Sequence, residues 1–169
     1  DLRPLPFVTI DPVTARDHDD AVCVETLEGG GFRLWVAIAD VAHFVPEEGA
    51  LDREARRRGN SVYFPDRAIP MLPERLSGEL CSLRPGVDRL ALAAELTLDA
   101  RGALQGARFD EAVIRSRARL VYDAAARVID DLRSGHNPLD EGGIATLLAS
   151  PDQRELFGRI GGMMSLLEG

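Results

Sequence analysis

The sequence contains no apolar run long enough to cross a bilayer. A transmembrane helix needs about 18 or more apolar residues in succession, and the chain of 169 residues has no such segment. Its first residues, DLRPLPFV, also lack the charged start and the apolar middle of a signal peptide. These absences predict a cytoplasmic protein without a membrane partner.

Cysteine is equally scarce. Cys23 and Cys81 are the two thiols of the chain. Two cysteines are too few for a disulfide framework, and their separation matches no zinc-ligand spacing. We therefore expect two reduced thiols that have no chemical role.

The chain also lacks an excess of positive charge. Its 28 acidic residues outnumber 20 basic ones, which gives a formal net charge of −8, whereas phosphate binding normally goes with a basic surface. The charge is unevenly distributed, however. Acidic residues are densest before residue 30, and arginines collect in REARRR (53–58) and RSRAR (115–119). An acidic pole that faces basic tracts is compatible with a nucleic-acid ligand.

What is present is a pattern of strands followed by helices. With 45% hydrophobic residues, the chain is able to form one core. The pattern predicts a strand at 6–10, hairpins at 21–41 and 88–116, a helix at 49–59 that ends at Gly59, an irregular proline-rich segment at 65–85, and helical segments at 122–135 and 141–168. A sheet that precedes helices predicts one α+β domain.

The segment TIDPVTARDHDDAV (9–22) gathers four carboxylates within ten positions: Asp11, Asp17, Asp19 and Asp20. In a regular strand Asp20 would point away from Asp17 and Asp19, so we expect irregular backbone over residues 11 to 20. Oxygen ligands suit Mg²⁺ or Mn²⁺, which such sites use for phosphoryl chemistry. The segment therefore indicates a candidate metal site.

Other interpretations of the four aspartates stay open on the residues alone. One is a solvated surface turn. A second is a calcium loop, for which Asp17, Asp19 and Glu28 have suitable spacing, although Ala21 and Val22 occupy positions where the loop needs a ligand and a glycine. A third is an aspartyl nucleophile of the phosphatase type, which would follow its strand directly.

Six segments of the chain occur in the order and at close to the spacing of a known family. They are TIDPVTARDHDDAV, LWVAIADVAHFV, LDREARRRGNSVYFP, IPMLPERLSGELCSL, DRLALAAELTL and EAVIRSRARLVYD. Over about residues 3 to 133 the chain resembles the catalytic domain of the ribonuclease II and ribonuclease R (RNB) family. The resemblance implies a mixed, mostly antiparallel sheet packed against helices. It also implies a processive 3′-to-5′ exoribonuclease that uses Mg²⁺, or Mn²⁺, to hydrolyse single-stranded RNA to nucleoside 5′-monophosphates.

The resemblance also implies roles for individual residues. Asp11, Asp17, Asp19 and Asp20 match the four acidic positions of the family's active site, which bind metal and support catalysis. Asp19 matches the position whose loss removes catalysis most specifically. Tyr63 matches an aromatic residue that packs against the 3′-terminal nucleotide, and Tyr122 matches one associated with a preference for RNA over DNA. On the residues alone, packing would explain both tyrosines.

Three arginines alternate at the end of the matched region. Arg115, Arg117 and Arg119 would line one face of a strand, so we predict that Arg117 and Arg119 contact substrate phosphates. A solvated sheet edge is the alternative. The arginines of residues 53–58 are expected to be solvated, and His18 is expected to be peripheral and without a role.

The chain departs from the family in extent. The family's catalytic domain is longer, and its later half supplies an arginine that clamps the scissile phosphate. We therefore expect residues 1–169 to be the N-terminal part of the catalytic domain, without that half and without the flanking RNA-binding barrels. Losing such a charge stabiliser costs roughly 10² to 10³ in rate, so weak activity is expected. The alternative function is a non-catalytic RNA- or protein-binding fragment, and a partly folded fragment is a third possibility. The sequence indicates no obligate protein partner.

Overall fold

The structure is a computed structural model that describes residues 1–134 and 151–167. Part of the helical segment predicted at 141–168 lies outside the described residues, as does residue 135 at the end of the segment predicted at 122–135. Among the described helices, none is both long and apolar enough to span a membrane.

Six strands form one sheet in the order β7-β6-β3-β2-β1-β8. Their bounds are β1 (Val8–Asp11), β2 (Asp20–Leu27), β3 (Gly31–Ala39), β6 (Asp88–Leu98), β7 (Leu104–Arg115) and β8 (Ala118–Val121). The pairing is antiparallel throughout, except that β8 runs parallel to β1. The short strands β4 (Val62–Tyr63) and β5 (Ala68–Ile69) form a separate hairpin. A mixed, mostly antiparallel sheet is confirmed.

Both predicted hairpins are present. β2 and β3 are joined through Gly29 and Gly30, whose φ angles of 94° and 90° favour glycine. β6 and β7 turn at Asp99, whose Oδ1 accepts hydrogen bonds from the backbone N–H groups of Arg101 and Ala103 at 2.8 and 3.0 Å. These local turns hold the long strands in register, so the sheet is built mainly from neighbours in sequence.

The sheet is strongly curled at one end. β7 and β8 lie at opposite edges, which in a flat sheet would be about 24 Å apart, yet the two residues Ser116 and Arg117 join them. Such a link spans at most about 11 Å. The N-terminal segment fills the remaining gap, because Leu2 N donates to Val113 O at 2.9 Å and Arg117 N donates to Phe7 O at 2.7 Å.

Helices cover one face of the sheet. Helices α2 (Tyr122–Arg133) and α3 (Pro151–Leu167) pack on that face in a cluster that includes Val24, Val128 and Phe157. The opposite face carries a second cluster, to which a π-helical segment (Arg75–Cys81) contributes. Full burial of such side chains contributes about 1.5 to 3 kcal/mol each. Both faces of the sheet therefore contribute to stability.

Helix α1 (Ala50–Arg58) lies at the margin of the core, against which its Ala55 packs. None of its residues is buried, and it ends at Gly59, whose φ is 78°. Its arginines at 56, 57 and 58 pair with Asp52 or Glu54 of the same helix. The predicted helix and its solvated arginines are both confirmed. Cys23 and Cys81 are buried and unpaired, as expected, and burial raises the pKa of Cys23 to about 12.

Candidate active site

The four aspartates lie where two neighbouring strands begin and end. Asp11 ends β1 and Asp20 begins β2, and these strands pair antiparallel with Val8 opposite Val22. Between them, residues 12–19 form an irregular connection that we call the acidic loop. Asp19 is held by its carbonyl oxygen, which accepts a hydrogen bond from Ala39 N at 2.8 Å. The predicted irregular backbone is confirmed over residues 12–19 but is wrong for Asp11 and Asp20, which lie in strands. The acidic loop returns to the ends of both strands.

A cleft of about 790 Å³ opens beside the acidic loop. Three of the four aspartates line it, namely Asp11, Asp17 and Asp19, whereas Asp20 and His18 are outside its lining. The rest of the wall comes mainly from the β4–β5 hairpin and the π-helical segment, and includes Arg16, Ser61, Tyr63, Asp66, Arg67, Glu74 and Ser77. The cleft therefore combines clustered carboxylates, one aromatic ring and two arginines.

The carboxylates of the cluster lie close enough to affect one another. The pKa of Asp19 is raised, first because its carboxyl is partly desolvated and then by the negative charges of Asp17, Asp20 and Asp11. Partial desolvation followed by the charge of Asp11 also raises the pKa of Asp20. Among the arginines whose side chains the structure describes, none forms an ion pair with any of the four. A strongly negative site results.

His18 contradicts the prediction that it is peripheral. The residue is 4% exposed, and its Nδ1 lies 2.8 Å from Asp11 Oδ2. Its backbone is fixed as well, because His18 N donates to Ser82 Oγ at 3.1 Å and His18 O accepts from Leu83 N at 2.8 Å. Sequence reasoning also missed Ser82. For His18, the available signal in the sequence was its position between Asp17 and Asp19. For Ser82 there was none, because no local pattern connects the acidic loop to a serine 64 residues away.

The chemistry of these donors fits a hard divalent cation. All four side chains offer carboxylate oxygens, the ligands that Mg²⁺ and Mn²⁺ prefer. Among the described residues, no three His, Cys, Asp or Glu side chains are grouped closely enough to enclose a metal. Mg²⁺ does not require such a cage, because it usually binds one or two carboxylates together with waters and substrate phosphate. An open, carboxylate-lined cleft is suited to that mode of binding.

The two predicted substrate tyrosines are in different places. Tyr63 lies on β4 at the wall of the cleft, 69% exposed, and its hydroxyl is 3.3 Å from Asp17 Oδ2, to which it donates. The negative charge of Asp17 is the main reason that the pKa of Tyr63 is raised. Tyr122 begins α2 and is 57% exposed, but it does not line the cleft. Tyr122 directly follows Val121, whose register partner on β1 is Asp11, so the structure places Tyr63 at the cleft wall and Tyr122 beside the end of β1.

The three alternating arginines do not share one strand, so the predicted common face is wrong. The reason is the link at 116–117, where the chain leaves β7 and enters β8 at the other edge of the sheet. Arg115 Nε pairs with Asp88 Oδ1 at 2.6 Å. The guanidinium of Arg117 reaches the carbonyl oxygens of residues 3 and 4 at 3.3 and 3.5 Å. That of Arg119 donates to Val13 O at 2.6 Å and Pro12 O at 3.3 Å, so Arg119 contacts the acidic loop.

Comparison with known proteins identifies the family. The RNB domain matches residues 1–155 of the chain. The chain belongs to the RNB family. This confirms the resemblance inferred from the six segments.

Curated relatives of this RNB domain are ribonucleases R. Ribonuclease R of Escherichia coli (strain K12) is 56% identical over 142 residues, which are 82% of this chain and 18% of the relative. Ribonuclease R of Acidithiobacillus ferrooxidans is 58% identical over 129 residues, or 76% of this chain and 29% of the relative. The chain therefore spans less than a third of the length of either relative.

Solved structures agree on the fold. Mycoplasma genitalium RNase R in complex with ribose methylated single-stranded RNA is 34% identical and superposes with a TM-score of 0.82 over 99% of this chain, which is 24% of that protein. Yeast Ssd1, described as a pseudonuclease, is 24% identical with a TM-score of 0.66 over 85% of this chain and 17% of its own. The second likeness concerns the fold alone.

Proposed function

We propose that this RNB chain supplies the acidic part of the active site of a processive 3′-to-5′ exoribonuclease, which hydrolyses single-stranded RNA to nucleoside 5′-monophosphates. The single observation that carries the proposal is the convergence of Asp11, Asp17 and Asp19 on one cleft. Ribonuclease R relatives that are more than half identical over the matched residues support it, as does the M. genitalium RNase R solved with single-stranded RNA. A cytoplasmic site of action, which the sequence leads us to expect, is part of the proposal.

The four aspartates would hold Mg²⁺, or Mn²⁺, and a bound ion of this kind activates water and neutralises charge on a phosphate that is being cleaved. The chain's own contribution is to orient the carboxylates and concentrate negative charge. Asp11 is oriented through His18, and Asp19 through its backbone bond to Ala39. Asp20 lies outside the cleft lining, but its charge acts on Asp19.

Substrate contacts are proposed for the wall of the cleft. The exposed ring of Tyr63 offers a surface for the terminal nucleotide, and stacking of this kind is worth about 1 to 3 kcal/mol per base. Arg16 and Arg67 have long, exposed ion pairs, to Glu74 at 3.5 Å and Asp66 at 3.8 Å. Such pairs contribute little, so either guanidinium is available to a phosphate. We also propose that Tyr122 and Arg117 contact RNA at positions outside this cleft.

Hydrolysis of a 5′-labelled single-stranded RNA by the full-length parent protein tests this function. We expect Mg²⁺-dependent shortening from the 3′ end, with release of nucleoside 5′-monophosphates. Asp19→Asn should reduce the rate by a factor of about 10² or more and leave RNA binding nearly unchanged, because the change removes a charge at the reaction centre.

The matched control is Asp110→Asn, which removes an exposed carboxylate of β7 that does not line the cleft. It should hydrolyse RNA as the wild type does. Equal rates for the wild type and Asp19→Asn would contradict the proposal. RNA binding without hydrolysis by the wild type would favour a non-catalytic RNA-binding protein of this fold.

A further inference from the structure

His18 is buried against one of the four aspartates without lining the cleft. The side chains of His18 and Asp11 are 6% and 11% exposed, and Nδ1 lies 2.8 Å from Oδ2. A carboxylate has no proton to donate, so Nδ1 carries the hydrogen and donates it. Asp11 is part of the cleft wall and His18 is not. The imidazole therefore contacts the Asp11 carboxylate on the side that does not face the cleft.

We propose that His18 is a positioning residue, which holds the Asp11 carboxylate in the orientation that binds a divalent cation. The inference rests on the proposed function. One oxygen of Asp11 is committed to His18, which leaves the other oxygen for a ligand in the cleft. Partners of this kind, which fix a ligating side chain, commonly change metal affinity by about 10- to 100-fold when removed.

Hydrogen bonds also anchor the backbone of His18, and they fix the position from which its ring extends. His18 N donates to Ser82 Oγ at 3.1 Å, and Leu83 N donates to His18 O at 2.8 Å. Ser82 is fully buried and directly follows the π-helical segment. Its hydroxyl also donates to Arg16 O at 3.3 Å. The orientation of Asp11 is thus tied to the π-helical segment, which contributes Ser77 and Gly78 to the cleft wall.

Two amide variants separate positioning from general support. In His18→Asn the side-chain nitrogen stands near the place of Nδ1 and is able to donate to Asp11. In His18→Gln the nitrogen extends toward the place of Nε2 and misses that oxygen. His43→Gln is the control, because His43 is an exposed histidine outside the cleft wall. If His18 only packed against its neighbours, His18→Asn and His18→Gln would bind metal with similar affinity.

The measurement is Mn²⁺ binding to the full-length parent by titration calorimetry, without RNA. We expect His18→Gln to weaken Mn²⁺ binding by about tenfold or more, whereas His18→Asn and His43→Gln stay close to the wild type. RNA affinity measured in EDTA should be the same for all four proteins. If His18→Gln does not fold, His18→Leu takes its place in the same comparison.

Three results overturn the inference, and the third differs from the first two because it also overturns the proposed function. If the wild type binds Mn²⁺ and His18→Gln, or His18→Leu in its place, binds it equally well, His18 has no positioning role and the proposed function stands. The same conclusion follows if His18→Asn loses as much affinity as His18→Gln. If the wild type binds no Mn²⁺, the metal-dependent function fails and the inference fails with it.

Discussion

Ionised Asp19 opposes folding, because its carboxyl is partly desolvated and lies near three other carboxylates that raise its pKa above the usual 3.8. A carboxyl with a raised pKa in the folded chain contributes stability while it is protonated. That contribution is lost as the pH rises from the unfolded pKa through the folded pKa. In the metal-free protein at neutral pH, the ionised carboxylate of Asp19 therefore lowers the free energy of unfolding.

Asp19→Asn should consequently raise the free energy of unfolding of the metal-free chain near neutral pH. The gain should disappear at a pH below both pKa values, where the wild-type carboxyl is also neutral. Urea denaturation in EDTA at the two pH values measures this. Asp52→Asn is the control of opposite sign, because hydrogen bonds from Glu48 N and Arg56 lower the pKa of Asp52. Its loss should destabilise the chain near neutral pH. No stabilisation by Asp19→Asn at neutral pH would contradict the account.

Tyr63 has two separable parts, a ring exposed at the cleft and a hydroxyl that donates to Asp17. Tyr63→Ala should lengthen the shortest RNA left by the full-length enzyme, since about 1 to 3 kcal/mol of stacking is lost where few other contacts exist. Tyr63→Phe keeps the ring and should leave the end product unchanged. Gel analysis of the final RNA length checks both. An end product of wild-type length from Tyr63→Ala would remove the stacking role.

At the scale of elements, the acidic loop is held at both ends. Arg119 of β8 binds the carbonyl oxygens of Pro12 and Val13 at its start, and Ser82 binds His18 near its end. Both contacts depend on strand and segment pairings that are distant in sequence. The loop is therefore positioned by the curled sheet on one side and the π-helical segment on the other.

Arg119 has two candidate roles, as an anchor of the acidic loop and as the predicted phosphate contact. The salt dependence of RNA binding distinguishes the two roles. Arg119→Gln should reduce hydrolysis by the full-length enzyme and speed amide hydrogen exchange in residues 12–19, because the loop loses its anchor. Loss of a phosphate contact would instead lower the slope of log affinity for RNA against log salt concentration by about 1. We expect the slope to stay unchanged. Arg115→Gln is the control, since Arg115 pairs with Asp88 away from the loop.

Local patterns were enough for part of this architecture. Alternating apolar residues and turns at glycine or aspartate predict the hairpins. The four aspartates were recognisable as a candidate site because they lie in one segment of sequence. Strand β8 was missed because its pairing with β1 spans more than 100 residues and its residues read as an arginine tract. The π-helical segment was missed because prolines at 65, 70, 73 and 85 indicate irregular backbone. The contact of His18 with Ser82 depends on these long-range placements and has no local signal.

At the scale of the whole molecule, several of the described arginines are paired with neighbouring carboxylates. The basic residues are all arginines, and those of α1 pair with acids of their own helix. Arg3 and Arg115 share Asp88, and Arg33 and Arg108 share Glu95. A net charge of −8 then agrees with a domain whose main electrostatic feature is the acidic cleft. Strong RNA binding is expected to require parts that the longer relatives have.

The central claim is that the four aspartates form a divalent-cation site, and stability in Mg²⁺ tests it most directly. Binding to the folded state should stabilise the chain by about 2.7 kcal/mol at a hundredfold excess over Kd. Melting temperature should therefore rise with MgCl₂ by more than with NaCl of matched ionic strength. This extra rise should vanish when Asp19 and Asp20 are both changed to Asn. Equal responses to MgCl₂ and NaCl, or a double variant that responds as the wild type does, would contradict the claim and leave the aspartates as a solvated turn.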